Sequence, residues 1–68
     1  MDAETKQRVV AYWADEGVDE YVIHGKACIF DMCDFAVSAC QLDLDIDDPE
    51  LRRLAMAQAK DWGVGWCE

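Results

Sequence analysis

The fold turns on the stretch Val18-Asp19-Glu20-Tyr21-Val22-Ile23-His24-Gly25-Lys26-Ala27. It has two readings. Either Asp19 caps a short helix that Gly25 ends, or the β-branched and aromatic run is extended and makes a short hairpin. The first reading gives an all-α bundle of three helices, or four with this segment, joined by an extended acidic connection. The second gives an α+β domain with a hairpin in its middle. Periodicity over so few residues does not separate them, and the flanks favour the all-α bundle.

Downstream, residues 29–42 look continuously apolar, yet Asp31, Asp34, Ser38 and Gln41 recur at spacings of three, four and three. This is a narrow polar stripe on a helix buried around most of its girth, with Phe30, Met32, Cys33, Phe35, Ala36, Val37, Ala39, Cys40 and Leu42 on its apolar side. A strand would scatter the four polar residues over both faces. Upstream, Asp2 is a good N-cap, Val9, Val10 and Trp13 form an apolar stripe with the Lys6 stem, and Gly17 is placed to end the helix. Further on, Asp48 and Pro49 start a third helix and Gly63 follows its end, with Leu51, Leu54, Ala55, Gln58 and Trp62 on one stripe. Between the second and third helices, Leu42-Asp43-Leu44-Asp45-Ile46-Asp47 alternates strictly. It reads as a lone extended connection with the apolar residues inward and the aspartates in water.

The 68 residues carry 15 acids against 6 bases, a formal charge of −9, and are 53% apolar. That hydrophobe content excludes a disordered acidic tail and describes one small domain, 1–68, with room for one core. A domain so small is marginal, and a homodimer, a partner or a staple would help it. No basic and apolar leader opens the chain, and no stretch approaches the roughly 18 apolar residues of a membrane span. A cytoplasmic protein is expected, with Cys28, Cys33, Cys40 and Cys67 as thiols.

The charge is unevenly placed. Between Lys26 and Arg52 there is no Lys or Arg, while Asp31, Asp34, Asp43, Asp45, Asp47, Asp48 and Glu50 fall inside the gap. Alternate carboxylates on an extended chain lie about 6.6 Å apart, and such rows resemble the charge of a nucleic-acid backbone. Solvated acids that keep a small protein soluble are the plainer account. The same surface steers a basic protein partner and repels nucleic acid and anionic membranes. Arg52 and Arg53, the only adjacent bases, lie beside Asp48 and Glu50, so direct nucleic-acid binding is disfavoured.

Other chemistry finds little support. The run Asp43–Asp48 starts like a calcium loop, but Asp48 stands where the turn glycine belongs and Leu54 where the bidentate glutamate belongs. His24 and the four cysteines supply soft ligands without a Cys-x-x-Cys pair, so no metal or cofactor is expected. With one imidazole, and acids around every cysteine but Cys28, no catalytic residues are assigned.

These features together suggest a non-enzymatic inhibitor or modulator that offers carboxylates to a basic, nucleic-acid-binding surface of a partner. The partner-binding residues would be Asp31, Asp34, Asp43, Asp45, Asp47 and Glu50, with Tyr12, Tyr21 and Trp66 as aromatic anchors. By analogy alone, small inhibitors that viruses deploy inside host cytoplasm and that imitate nucleic acid share this size and charge. The alternatives are an assembly subunit forming an obligate oligomer through apolar surface, and a small metal-binding module using Cys and His.

Overall fold

Helix α1 (Ala3–Glu16) starts where Asp2 Oδ1 accepts the Thr5 backbone N–H at 2.7 Å and ends where the Gly17 N–H reaches the Trp13 carbonyl at 3.0 Å. Those are the ends its sequence marks. A single 3-10 turn, Val18–Glu20, then leads into the strand β1 (Val22–Ile23). His24 and Gly25 follow with φ of 55° and 78°, and β2 (Lys26–Cys28) returns antiparallel, Val22 opposite Ala27 and Ile23 opposite Lys26. Positive φ at both positions of a two-residue loop matches the twist of the flanking strands. This computed structural model describes residues 1–67.

Helix α2 (Ile29–Ala39) continues directly from β2, and α3 (Pro49–Asp61) follows after the acidic connection. The strand β3 (Gly65–Cys67) then lies parallel to β2, with Lys26, Ala27 and Cys28 facing Gly65, Trp66 and Cys67. The sheet order is β1-β2-β3. Parallel neighbours need a long crossover; here α2, the connection and α3 supply it.

The domain is therefore α+β, three helices and a three-stranded mixed sheet, which corrects the all-α bundle. Two signals misled. Gly25 is a hairpin residue rather than a helix end, and His-Gly is a less familiar turn dipeptide than Asn-Gly. The segment Gly65-Trp66-Cys67 is too short to show a period and is a strand because β2 offers it an edge.

The connection also differs from the expected extended run. Its burial does alternate, Leu42, Leu44 and Ile46 half-buried and Asp43, Asp45 and Asp47 exposed. Yet the chain bends and turns: the Asp45 carboxylate accepts the Asp47 N–H at 3.0 Å, and the Asp48 N–H donates to the Asp45 carbonyl at 3.0 Å. Aspartate bonding its own backbone two residues on makes a turn, which competes with extension. The α2 helix ends at Ala39 rather than Leu42, because Gln41 takes a left-handed φ of 54° and the Leu42 N–H reaches back to the Val37 carbonyl at 3.1 Å. That closure is the one in which glycine is usual, and a glutamine there carries no local signal of it.

The core gathers Val9 and Trp13 of α1, Tyr21, Ala27 of β2, Ile29, Met32, Cys33 and Ala36 of α2, Cys40, and Leu51, Ala55 and Ala59 of α3. Trp13 Nε1 donates to the Met32 carbonyl at 3.0 Å and ties α1 to α2. Arg8 donates to the Cys40 carbonyl at 3.1 Å, fixing the end of α2 against the same helix. Gly63, at φ 78°, ends α3 and lets the Val64 N–H bond the Ala59 carbonyl at 3.1 Å, which turns the chain toward β3.

Candidate functional site

Helix α2 is less buried than its composition suggests. At about 100° per residue, Ile29, Met32, Cys33, Ala36 and Cys40 point one way into the core, and Asp31, Asp34 and Ser38 point the other way. Phe30 and Phe35 flank that polar stripe and are 53% and 43% exposed, which corrects their assignment to the core side. Asp31 and Asp34 are half-buried between them.

Phe35 also lines a cleft with Tyr12 and Glu16 of α1, Glu20 of the 3-10 turn, and Tyr21. Tyr21 is 1% exposed and forms the floor. Its ring lies 6.0 Å from that of Phe35 and is stacked on Trp62 at 6.1 Å. Burial raises the Tyr21 hydroxyl far above the usual tyrosine pKa, and the Tyr12 hydroxyl and the charges of Glu16 and Glu20 push the same way. Tyr12 is half-buried against the core. With a volume near 230 Å³, the cleft is smaller than the about 300–1,000 Å³ of small-molecule sites. It has room for one long side chain.

Glu16 and Glu20 belong to a run, Asp15-Glu16-Gly17-Val18-Asp19-Glu20, whose four acids are all exposed. Among the described residues none of the four makes an ion pair or a side-chain hydrogen bond. Asp15 and Glu16 also occupy the last turn of α1, which holds no basic residue. The helix macrodipole disfavours negative charge there. Departures from a local stability rule are expected at functional or strained sites. The run is inconspicuous in the sequence because its acids do not alternate and lie outside the gap in basic residues; its one visible signal is four carboxylates around a helix-ending glycine.

The expected acidic residues of 43–50 lie at the opposite end of α1. Asp43 borders a groove with Met1, Asp2, Thr5 and Arg8 at the start of that helix. Glu50 Oε2 accepts from the Met1 ammonium at 2.9 Å and Glu50 Oε1 pairs with Lys6 at 3.1 Å, and these cations hold its carboxyl below the usual glutamate range. Asp47 faces Arg52 at 3.5 Å. Asp48 accepts the N–H groups of Glu50 and Leu51 at 2.9 and 3.3 Å as the α3 cap. With Asp45 in its turn, the carboxylates do not form the evenly spaced row expected of an extended chain. Trp66 is 38% exposed on β3, and its register places it beside Ala27.

No protein-family model, curated protein or solved structure matches this chain.

Cys33 is buried, and burial, helped by the charge of Asp47 and opposed by Arg52, pushes its thiol up to about 11. Cys40 is buried too, its Sγ directed at the Arg8 carbonyl at 4.0 Å. His24 is exposed in the hairpin turn. Among the described residues, no group of three or more His, Cys, Asp or Glu side chains is arranged to hold a metal ion, and no helix is long and apolar enough to cross a membrane.

Proposed function

We propose that this protein is a non-enzymatic acidic binding module for a basic partner protein, and that the cleft of Tyr12, Glu16, Glu20, Tyr21 and Phe35 receives an Arg or Lys side chain of that partner. The observation that carries the reading is the meeting of two unpartnered carboxylates and three aromatic rings in a cleft the size of one side chain. An aromatic face attracts a cation held within about 6 Å of its centre, and carboxylates beside it add charge-assisted hydrogen bonds. Asp31 and Asp34 lie on the outer face of α2 that continues from Phe35, and Asp15 and Asp19 extend the field in which a basic partner is drawn in. A partner that holds phosphates through Lys and Arg, as nucleic-acid-binding proteins do, offers the complementary surface. Occupying that surface would make this module an inhibitor or modulator.

Titration of the isotopically labelled protein with an arginine-rich peptide, followed by nuclear magnetic resonance at low and high salt, tests this. Shifts centred on Tyr12, Glu16, Glu20 and Phe35 that weaken as salt rises are expected. Shifts centred on residues 43–50 alone, or none, overturn the cleft. A second reading, self-association, is favoured by the exposure of Ile23, Phe30 and Trp66. Apolar association survives high salt, so a dimer that persists there in sedimentation would support it.

A further inference from the structure

Cys28 and Cys67 stand directly opposite one another on the parallel strands β2 and β3. Side chains alternate along a strand. Ala27 is wholly buried, so its neighbours Lys26 and Cys28 point to the outer face, and Cys67, in register with Cys28, points the same way. Cys67 is exposed and Cys28 half-buried. Neighbouring strands lie about 4.8 Å apart, inside the Cα separation of about 4.4–6.8 Å that disulfides span. Cys33 and Cys40 are shut in the core, so the four thiols divide into an inert pair and an accessible, facing pair.

We propose that Cys28 and Cys67 form a reversible dithiol–disulfide site, oxidised by low-molecular-weight disulfides of the glutathione class. The exposed Cys67 is the attacking group. Its thiolate, having released a proton to solvent, attacks one sulfur of the small disulfide, and the other sulfur leaves as a thiolate that takes up a proton. The Cys28 thiolate then attacks Cys67 Sγ in the mixed disulfide, and the second small thiol departs in the same way. Two protons and two electrons leave the protein, one sulfur–sulfur bond forms within it, and one small disulfide becomes two thiols. Lys26, on the same face two residues from Cys28, is the base nearest in sequence to any of the cysteines. The bond would fasten β3 covalently to β2 and close a loop of about 40 residues, which restricts the unfolded chain.

The test uses the full chain, reduced and then exposed to oxidised glutathione, trapped with N-ethylmaleimide and read by intact mass and non-reducing peptide mapping. The parent should become lighter by two hydrogen atoms, stay monomeric, carry a Cys28–Cys67 link, and melt roughly 10–20 °C higher than its reduced form. The variant C28S lacks the resolving thiol and should stop with glutathione attached to Cys67. Both positions lie on the sheet surface, so C28S and C67S should fold as the parent does, with circular dichroism as the control. The proposal is overturned if the parent itself retains glutathione on Cys67, if it links two chains through Cys67, or if mapping finds Cys33 or Cys40 in the bond.

Discussion

The two ends of helix α1 treat negative charge in opposite ways. Around its start, Asp2 caps α1, Asp48 caps α3, Asp45 closes a turn, Asp47 faces Arg52, and Glu50 is held by Lys6 and the Met1 ammonium. Around its end, Asp15, Glu16, Asp19 and Glu20 have no such partners among the described residues, and two of them border a cleft whose floor is a core tyrosine. Carboxylates bound to backbone N–H groups and cations already stabilise the fold, whereas unpartnered ones are available to a ligand. The stretch densest in aspartate is thus mainly architectural, and a less conspicuous run holds the carboxylates that the proposed recognition of a basic partner would use.

The largest test of this contrast is Tyr21→Ala. Removing a wholly buried ring should cost about 3–5 kcal/mol in urea-induced unfolding, because the cleft floor and the core are the same residue. A surface change such as E16Q with E20Q should leave stability within about 0.5 kcal/mol, yet reduce the affinity for an arginine-rich peptide by about tenfold at low salt, measured by calorimetry. Equal loss of affinity from D43N, D45N and D47N together would erase the distinction between the two ends. Those three changes should slow association only modestly, an effect that disappears at high salt.

Replacing Asp48 by Ala leaves two N–H groups of α3 without their cap and should cost about 1 kcal/mol, with peptide affinity unchanged. A matching loss of affinity would show that the cap region takes part in recognition. The pH dependence has the same origin. The folded pKa of Glu50 is below its ordinary value of 4.5. Its contribution is therefore present above about pH 4.5 and is lost as pH falls through the depressed value. E50Q should flatten the acid limb of a melting-temperature profile between those points, and an unchanged limb would show that its ion pairs add nothing.

Much of the helical framework was legible because its signals are local. Asp2, Gly17, Asp48, Pro49 and Gly63 act within one turn of where they stand, so their roles could be read from neighbours alone. The end of α2 was not, because Gln41 adopts a conformation that no residue near it announces. Of the expected anchors, Tyr12 and Tyr21 do come together in the cleft, though Tyr21 as its buried floor, and Phe35 joins them although its apolar character suggested core. Glu16 and Glu20 were visible as charges but not as partners of those rings, since α1 and the 3-10 turn contribute them and α2 completes the cleft.

By itself the sequence determined the helix starts, the charge, and the alternation of burial along residues 42–47, because caps, electrostatics and the preference of Leu and Ile for the interior act over short distances or through composition. The tertiary structure alone decided the sheet. Strands of two and three residues carry no period of their own, and β3 exists only where folding brings it to the free edge of β2, after two helices have closed the crossover. That same closure chose which side of α2 meets solvent, placed Phe35 against Tyr21, and set Cys67 opposite Cys28. Such pairings depend on contacts between residues far apart in the chain, whose entropy of closure only the assembled core offsets.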